Sequence, residues 1–219
     1  MQLPRGKVRH YLFLDPQDPH TAYTYQHLVN LGFRRNGSHL YRPNCTGCNQ
    51  CIPCRVPVDD FRVNRRFQRV LKSNQDIAIR LEEPRDDQEV YELYERYIAT
   101  RHREGDVYPA SIDQLRAFLF ARWSRTFFLS SYVNKKLVAV AVTDVLHDVL
   151  SAIYTFFEPE FETRSLGVFS VLKQIEECRV RELTHLYLGY WIEDCPSMDY
   201  KARYRPIQTL VNGRCLTLE

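Results

Sequence analysis

The sequence predicts an α+β fold in which helices flank a mixed β-sheet. Two observations support this prediction. Helical and strand-like segments follow one another along the chain, and apolar residues recur every three or four residues in the former and every two residues in the latter. Three strand-like segments are separated only by short turns, which predicts an antiparallel meander. An N-terminal part rich in Arg, Asn, Pro and Cys shows only short periodic pieces. We therefore expect a small cysteine-containing domain over residues 1–72 and an α+β domain over residues 73–219.

Three helices are predicted in the larger domain. Apolar residues in the segment 90–98 recur at helical steps. A second helix begins at Ser111, where Gln114 completes a capping box. The segment 166–183 carries the third helical pattern. A shorter helical face is expected in the N-terminal part, over residues 22–31.

Strands are predicted where aromatic and β-branched residues cluster or alternate with polar ones. Turn residues at 134–136 and 147–148 separate the first three strands. The four main strands are expected at 126–133, 137–146, 149–157 and 186–191, followed by two short strands at 207–211 and 215–218.

Composition and charge exclude some classes of protein. The chain has 219 residues, of which 44% are hydrophobic, and a formal net charge of +3, so a full core is possible and an acidic partner is permitted. It has no apolar stretch of about 18 residues, and its start lacks the apolar run of a secretory signal. The seven cysteines, four of them at three-residue spacing, indicate a reducing compartment and argue against a disulfide framework. We expect a cytoplasmic protein without a membrane partner.

A run of four cysteines is the clearest candidate metal site. Cys45, Cys48, Cys51 and Cys54 form the pattern C-x-x-C-x-x-C-x-x-C. Thiolates at this spacing can surround a zinc ion or an iron–sulfur cluster. The alternative is that they are loop thiols that pack and never contact a metal. A structural or regulatory metal at this run is the hypothesis.

Two basic segments with interleaved aromatic residues predict a surface for an anionic partner. The first lies between Arg55 and Lys72 and includes Phe61 and Phe67, and the second spans residues 200–205. Arginine binds phosphate or carboxylate at two points, and aromatic rings stack on unpaired bases. Either segment can alternatively be a solvated face. Two of them in a chain of modest net charge favour an anionic partner.

The order of the predicted elements is found in acyltransferases of the GCN5-related fold. Members that use acetyl-CoA bind its pyrophosphate with a loop resembling Gln/Arg-x-x-Gly-x-Gly/Ala at the start of a helix. Residues 164–169 match this pattern up to Gly167, but the sixth residue is Phe169, whose bulk obstructs close approach to a phosphate. Gly167 can alternatively serve helix–strand packing alone. The sequence thus disfavours a CoA enzyme and keeps the general fold.

Six segments carry a more specific resemblance: GFRRNG (32–37), YRPNC (41–45), LVAVAVTDVL (137–146), YTFFEP (154–159), YLGYWI (187–192) and CPSMDYK (195–201). They are similar to segments of the bacterial aspartate/glutamate leucyltransferases, which are relatives of the eukaryotic arginyl-tRNA–protein transferases. The resemblance runs over nearly the whole chain, and its last block is the most specific.

This resemblance implies an activity. It implies transfer of leucine from Leu-tRNA to the N-terminal α-amine of proteins that begin with Asp or Glu, which marks them for degradation. It also implies an N-terminal cysteine-bearing domain and a C-terminal acyltransferase domain. Members usually begin Cys-Ser-Tyr-Leu-Pro, whereas this chain reads Gln2-Leu3-Pro4, so Cys54 is the expected substitute for that upstream cysteine. Because the donor is a reactive ester, no cofactor is expected to be required for transfer.

The implied reaction needs groups that orient the amine and the ester, stabilise an oxyanion and pair with the acceptor carboxylate. The amine has a pKa of about 7.7–8.0, so modest base assistance suffices. We predict that Arg66 and Arg69 bind the acceptor carboxylate and that Lys201 and Arg203 contact the acceptor end of the tRNA. The predicted catalytic residues are Asp144, Tyr154, Tyr187 and Tyr190.

The sequence leaves alternatives for the site tyrosines and for the function. Tyr187 and Tyr190 fall on opposite faces of a regular strand, so only one of them lines the site unless a bulge intervenes. Arginyl transfer to the same acceptors is an alternative, because the donor pocket cannot be identified in the sequence. A non-catalytic RNA- or metal-binding regulator is a second alternative, of a different class.

Overall fold

The computed structural model describes residues 10–15, 18, 20–105 and 107–219. Three short 3₁₀ segments, Val29–Leu31, Pro159–Arg164 and Asp199–Arg203, connect the longer elements. The α-helices are α1 (Thr21–Leu28), α2 (Arg65–Ser73), α3 (Gln88–Arg101), α4 (Ile112–Leu119) and α5 (Leu166–Val180). The strands are β1 (Tyr11–Leu14), β2 (Arg34–Asn36), β3 (His39–Pro43), β4 (Ile52–Pro57), β5 (Ala78–Glu82), β6 (Thr126–Val133), β7 (Lys136–Val145), β8 (Val149–Phe157), β9 (His185–Trp191), β10 (Ile207–Val211) and β11 (Arg214–Leu218).

One eight-stranded mixed sheet organises the molecule, in the order β11-β10-β4-β9-β8-β7-β6-β5. Neighbouring strands are antiparallel except β8 and β9, which are parallel and joined through helix α5. A parallel pair requires such a crossover. The predicted helices, the meander of β6, β7 and β8, and the strands that follow α5 are all confirmed.

The sequence did not predict β4 and β5. Strand β4 contains Pro53 and Pro57, which argue against a strand with neighbours on both sides. Strand β5 lies at the edge of the sheet and is largely exposed, so its apolar pattern is weak.

The N-terminal part contributes to both sheets of the molecule. Strands β1, β3 and β2 form a separate three-stranded sheet, whereas β4 inserts between β9 and β10 of the main sheet. The two segments predicted as domains therefore share one sheet, and the boundary at residue 72 stays a prediction.

The main sheet is covered on both faces. On one face, α5 and α2 pack against it, and the buried residues there include Val171, Ile175 and Phe67. On the other face, α3 and α4 cover the meander, with Val90 and Leu93 fully buried. Burying one such side chain contributes about 1.5–3 kcal/mol. The remainder of this second face is covered by α1 and the three-stranded sheet.

The caps of two helices match their local sequence. Asp87 accepts a hydrogen bond from the Val90 amide at the start of α3, and Ser111 accepts one from the Gln114 amide at the start of α4. Each satisfies an otherwise unpaired amide. The predicted cap at Ser111 is thus confirmed.

Strands β8 and β9 separate after a short paired stretch. Their pairing ends at Ser151 and Tyr187, although both strands continue to Phe157 and Trp191. Strand β9 contains a bulge, because Cys54 pairs with Gly189 while the next residue of β4 pairs with Tyr187. The divergence leaves a gap between the two strands, in which backbone groups need other partners.

In the described part of the chain, every helix is too short or too polar to cross a membrane.

Candidate active site

Arg34 fills the start of the gap between β8 and β9. It extends from β2, and its Nη2 donates to the carbonyl oxygen of Ala152 while its Nη1 donates to Ser151 Oγ at 2.7 Å. The guanidinium thus replaces the β9 backbone as partner of β8. Opposite it lies Gly189, where an added Cβ would stand 3.3 Å from Arg34 Nε. Gly189 has φ +86°, a left-handed backbone conformation that favours glycine.

Lys201 occupies the β9 side of the gap. Its side chain is buried, and its Nζ donates to the Tyr190 carbonyl oxygen at 2.7 Å and to Met198 Sδ at 3.2 Å. Burial lowers the pKa of Lys201 to about 8, and the nearby Arg34 acts in the same direction. Cys54, within electrostatic range of both cations, is a neutral thiol whose pKa burial raises to about 11.

Tyrosines form the rim of the gap. The ring of Tyr154 packs edge-on against Phe118 at 5.0 Å and against Tyr97 at 6.2 Å. Tyr97 is in turn within electrostatic range of Tyr200, which is also near Cys54 and Arg34. Burial raises the pKa of Tyr154, and it raises that of Tyr200 to about 12. Both phenols therefore stay protonated at neutral pH and can donate hydrogen bonds.

The Tyr154 hydroxyl differs from those of the other predicted catalytic tyrosines. It bonds to none of the described residues, whereas Tyr187 and Tyr190 are both engaged. Tyr187 donates to Asn30 Oδ1 and accepts from Arg55 Nη1 at 2.7 Å. Tyr190 donates to the Gly32 carbonyl oxygen at 2.7 Å. Of the three, Tyr154 is the one whose hydroxyl can still bind a substrate.

The bulge in β9 explains the position of Tyr187 and Tyr190. A regular strand would send them to opposite faces, but the extra residue Leu188 brings both toward the N-terminal part. Their hydroxyls fasten the 3₁₀ segment Val29–Leu31 and Gly32 to the sheet. These bonds give both tyrosines a structural role, and their catalytic role stays a prediction.

Asp144 also has a position at odds with its predicted catalytic role. Its side chain is fully buried, and its carboxylate binds Arg35 through two hydrogen bonds, with Thr126 Oγ1 donating a third at 2.7 Å. Tyr25 donates a further bond of 3.3 Å. With these partners and no exposed side-chain surface, the Asp144 carboxylate is out of reach of a substrate amine. Asp144 is a structural anchor.

The structure separates Lys201 from the other residues predicted to bind the acceptor carboxylate or the RNA. Arg66 and Arg69 are exposed on α2, and Arg203 is exposed beyond β9. Arg66 and Arg203 both lie within electrostatic range of the buried Tyr204 hydroxyl, so the two predicted basic segments adjoin. Lys201, by contrast, is buried, which is at odds with its predicted contact to RNA.

The two basic segments are joined by buried aromatic rings. The ring of Tyr204 stacks on Phe67 of α2 at 4.8 Å, which ties the residues after β9 to that helix. The exposed cations around it, which we call the basic surface, are Arg62, Arg65, Arg66, Arg69, Lys72, Arg203 and Arg205.

The four cysteines of the run are not gathered around one point. Cys54 lies on β4 with its side chain buried in the core, whereas Cys45, Cys48 and Cys51 are half-exposed in the preceding loop. Among the described residues, no three His, Cys, Asp or Glu side chains are placed to hold a metal ion. A site made by all four thiolates therefore does not fit this geometry. Metal binding by the run stays a prediction, which metal analysis of purified protein would test.

The phosphate-binding interpretation of residues 164–169 finds no support. The Arg164 side chain binds Asn74 Oδ1 at 3.0 Å and Asp76, and Phe169 is buried. Arg164 thus ties the connection between α2 and β5 to the start of α5. Gly167 faces Phe157, with 3.5 Å between an added Cβ and the ring, in keeping with the packing alternative.

Sequence reasoning missed Arg34, Arg35 and Tyr200 as site or anchor residues. The available signal was the pair Arg34-Arg35 in a segment otherwise suited to burial, between Phe33 and Gly37. Adjacent arginines on a strand point to opposite sides, so one was bound to meet the sheet interior.

Comparison with known proteins identifies relatives over nearly the whole chain. The chain is 48% identical over 207 residues to a protein of Pseudomonas fluorescens (strain SBW25) named aspartate/glutamate leucyltransferase, covering 94% of this chain and 88% of that one. A protein of the same name from Alcanivorax borkumensis is 50% identical, covering 92% of this chain and 84% of the relative.

A solved structure supports the predicted fold. The crystal structure of FemX matches with a TM-score of 0.51 at 9% identity, covering 85% of this chain and 64% of that one. The likeness confirms the predicted α+β fold of acyltransferase type.

Family models described as "Arginine-tRNA-protein transferase, N terminus" and "Arginine-tRNA-protein transferase, C terminus" match residues 3–69 and 89–211. The chain belongs to the arginine-tRNA-protein transferase family.

Proposed function

We propose that this aminoacyltransferase moves leucine from Leu-tRNA to the N-terminal α-amine of proteins that begin with Asp or Glu. The names of the relatives support the leucyl donor and the acidic acceptor. The added leucine would mark the acceptor for degradation. Because charged tRNA is the donor, we place the reaction in the cytoplasm.

The observation that carries this proposal is the gap between β8 and β9, with tyrosine hydroxyls at its rim and buried cations at its base. In the proposed reaction, the amine nitrogen attacks the ester carbonyl carbon. A C–N bond forms, the C–O bond to the terminal ribose breaks, and a proton passes from the amine to the ribose oxygen. No redox partner is needed, because the ester already carries the activation.

The rim tyrosines suit the charge that develops during this attack. Tyr154 and Tyr200 are phenols that burial keeps protonated, so their hydroxyls can donate to the tetrahedral oxyanion. One lost oxyanion donor costs a factor of about 10²–10³ in rate. The neutral fraction of the amine near pH 7 is sufficient, since its pKa is about 7.7–8.0.

The basic surface is the proposed tRNA contact. Its cations are exposed and lie on α2 and beyond β9, next to the residues that end the gap. Exposed arginines release counterions from a nucleic-acid backbone without reading its sequence. We assign Arg66, Arg69 and Arg203 to this contact. A metal at the cysteine run would be structural or regulatory in this scheme.

A transfer assay tests the proposal. Purified protein is incubated with radiolabelled Leu-tRNA or Arg-tRNA and peptides that begin with Asp, Glu or Ala. Label from Leu-tRNA on the Asp and Glu peptides alone supports the proposal. Label from Arg-tRNA would identify an arginyltransferase, and label from neither donor would favour an RNA- or metal-binding regulator.

A further inference from the structure

Two cations are buried at the base of the gap without an ion-pair partner in the described part of the chain. Arg34 and Lys201 are each only 6% exposed. Arg35, next to Arg34 in sequence, is buried as well, but Asp144 compensates its charge. Burying an uncompensated charge is costly, and a fold that tolerates two of them side by side points to an anionic ligand.

The two cations are held in place from opposite sides of the gap. Arg34 binds the Ala152 carbonyl on β8, and Lys201 binds the Tyr190 carbonyl on β9. Each lies within electrostatic range of the other. Gly189 leaves room for the guanidinium, because a Cβ there would stand only 3.3 Å from Arg34 Nε and push the group aside. The sheet therefore fixes the positions of both positive groups before a ligand arrives.

Both groups keep donors free for a ligand. A guanidinium has five N–H donors and an ammonium has three. Arg34 uses one donor on Ser151 and another on Ala152, and Lys201 uses one on Tyr190 and one on Met198. The remaining N–H groups suffice for the two oxygens of a carboxylate, which an arginine fork matches in geometry.

We propose that Arg34 and Lys201 bind the side-chain carboxylate of the acceptor's first residue and thereby select Asp and Glu. This inference rests on the proposed function. A carboxylate is small enough to reach cations that are almost fully buried, whereas the bulky phosphodiester chain fits the exposed basic surface. The assignment moves acceptor recognition away from Arg66 and Arg69, which are exposed on α2.

The arrangement also explains why a neutral first residue would be rejected. An amide in place of the carboxylate cannot neutralise the two buried charges, so they remain uncompensated in the complex. Sites of this kind discriminate by about 10⁴–10⁵ between a substrate with the required polar group and one without it. An amide still accepts hydrogen bonds, so we expect a smaller ratio, about 10²–10³, between Asp-starting and Asn-starting peptides.

The test compares kcat/KM for two peptides that differ only in Asp or Asn at the first position. We expect Lys201→Gln to lower kcat/KM for the Asp peptide about 100-fold and to change that for the Asn peptide about threefold or less. The ratio between the two peptides then collapses, while the affinity for Leu-tRNA is kept. Lys135→Gln, the same change at an exposed turn residue, is the matched control.

Further measurements separate the possible outcomes. Equal loss of activity for both peptides with an unchanged ratio would overturn the proposal, as would loss of tRNA affinity with the ratio preserved, which would assign the cations to phosphate. If the wild type transfers nothing to either peptide, the proposed function itself fails.

In case Lys201→Gln does not fold, NMR of the ¹⁵N-labelled wild type gives a second test. The Arg34 Nε signal should shift with an Asp-starting dipeptide and not with an Asn-starting one, and equal shifts would contradict the assignment.

Discussion

The guanidinium of Arg35 on β2 and the carboxylate of Asp144 on β7 form a two-point ion pair inside the protein. The distances are 2.6 Å from Nε to Oδ2 and 2.8 Å from Nη2 to Oδ1, and neither side chain is exposed. The pair connects the three-stranded N-terminal sheet to the main sheet. It therefore holds in place the strand that carries Arg34 into the gap.

Removing one partner of this pair should destabilise the fold strongly. In Asp144→Asn, Arg35 is left as a buried charge without compensation, and we expect the free energy of unfolding to fall by about 3–5 kcal/mol. Urea denaturation followed by circular dichroism measures the change. Glu162→Gln is the control, because it breaks an exposed pair with Arg101 and should cost about 1 kcal/mol or less. Equal effects of the two substitutions would contradict the role given to Asp144.

Gly189 should be needed both for its backbone conformation and for the space beside it. Gly189→Ala places a Cβ at φ +86° and 3.3 Å from Arg34 Nε, so it strains the backbone and displaces the guanidinium. We expect transfer to fall about 100-fold, as for a misplaced site group. The measurement is kcat/KM for transfer to an Asp-starting peptide.

Gly213→Ala separates strain from displacement. Gly213 has φ +74°, yet no atom lies within 4 Å of an added Cβ. This variant should lose about 1 kcal/mol of stability and keep its activity. If both glycine variants lost activity alike, the contact with Arg34 would not be the cause.

The sequence predicted those elements whose stability is local. Helix α3 and the cap at Ser111 follow from side-chain spacing and capping chemistry, and the meander follows from strand patterns separated by short turns. Strand β4 could not be predicted, because its place between β9 and β10 depends on tertiary pairing that overrides its two prolines. The site itself arises where β8 and β9 diverge, and a gap between two strands leaves no periodic pattern of apolar residues in the sequence.

The same distinction explains where the structure places the predicted site residues. Tyrosine, aspartate and lysine carry useful chemistry at an active site, yet their sequence patterns do not tell whether a partner already occupies them. Asp144 and Tyr190 turned out to be occupied, by Arg35 and by the Gly32 carbonyl. Lys201 has no ion-pair partner among the described residues, but it lies in the interior rather than on the surface.

His185, at the start of β9, should make the fold sensitive to mild acid. Burial lowers its pKa first of all, and Arg55 adds to this, while Gln208, Asp148 and Asp60 oppose it. The unfolded chain therefore takes up a proton more readily than the folded one, so stability is lost as the pH falls through about 6.5 and below. We expect the wild type to lose more unfolding free energy than His185→Gln between about pH 7.5 and pH 5.5.

Urea denaturation at the two pH values gives this difference. His147→Gln, a change at an exposed histidine in the turn between β7 and β8, serves as the control and should leave the wild-type dependence intact. A wild-type curve identical to that of His185→Gln would refute the assignment.

Tyr154 and Tyr187 should respond differently to loss of the hydroxyl. Tyr154→Phe keeps the ring contacts with Phe118 and Tyr97, so stability should be retained, while transfer falls about 10²–10³-fold if the hydroxyl donates to the oxyanion. Tyr187→Phe removes bonds to Asn30 and Arg55 and should cost about 1 kcal/mol with a smaller effect on rate. Single-turnover rates and thermal unfolding measure the two quantities. Equal rates for Tyr154→Phe and the wild type would remove Tyr154 from the reaction.

The basic surface should govern tRNA affinity without affecting the choice of acceptor. Arg66→Gln combined with Arg203→Gln removes two exposed cations that flank Tyr204. We expect weaker binding of Leu-tRNA and a slope of log Kd against log salt that is flatter by about 1–2, since each phosphate contact contributes about 0.7–0.9. The ratio of kcat/KM between Asp-starting and Asn-starting peptides should stay as in the wild type, because Arg34 and Lys201 are untouched. Binding titrations at several salt concentrations measure the slope, with Lys135→Gln as the control. A double variant that bound tRNA as the wild type does at every salt concentration would place the RNA on another face of the protein.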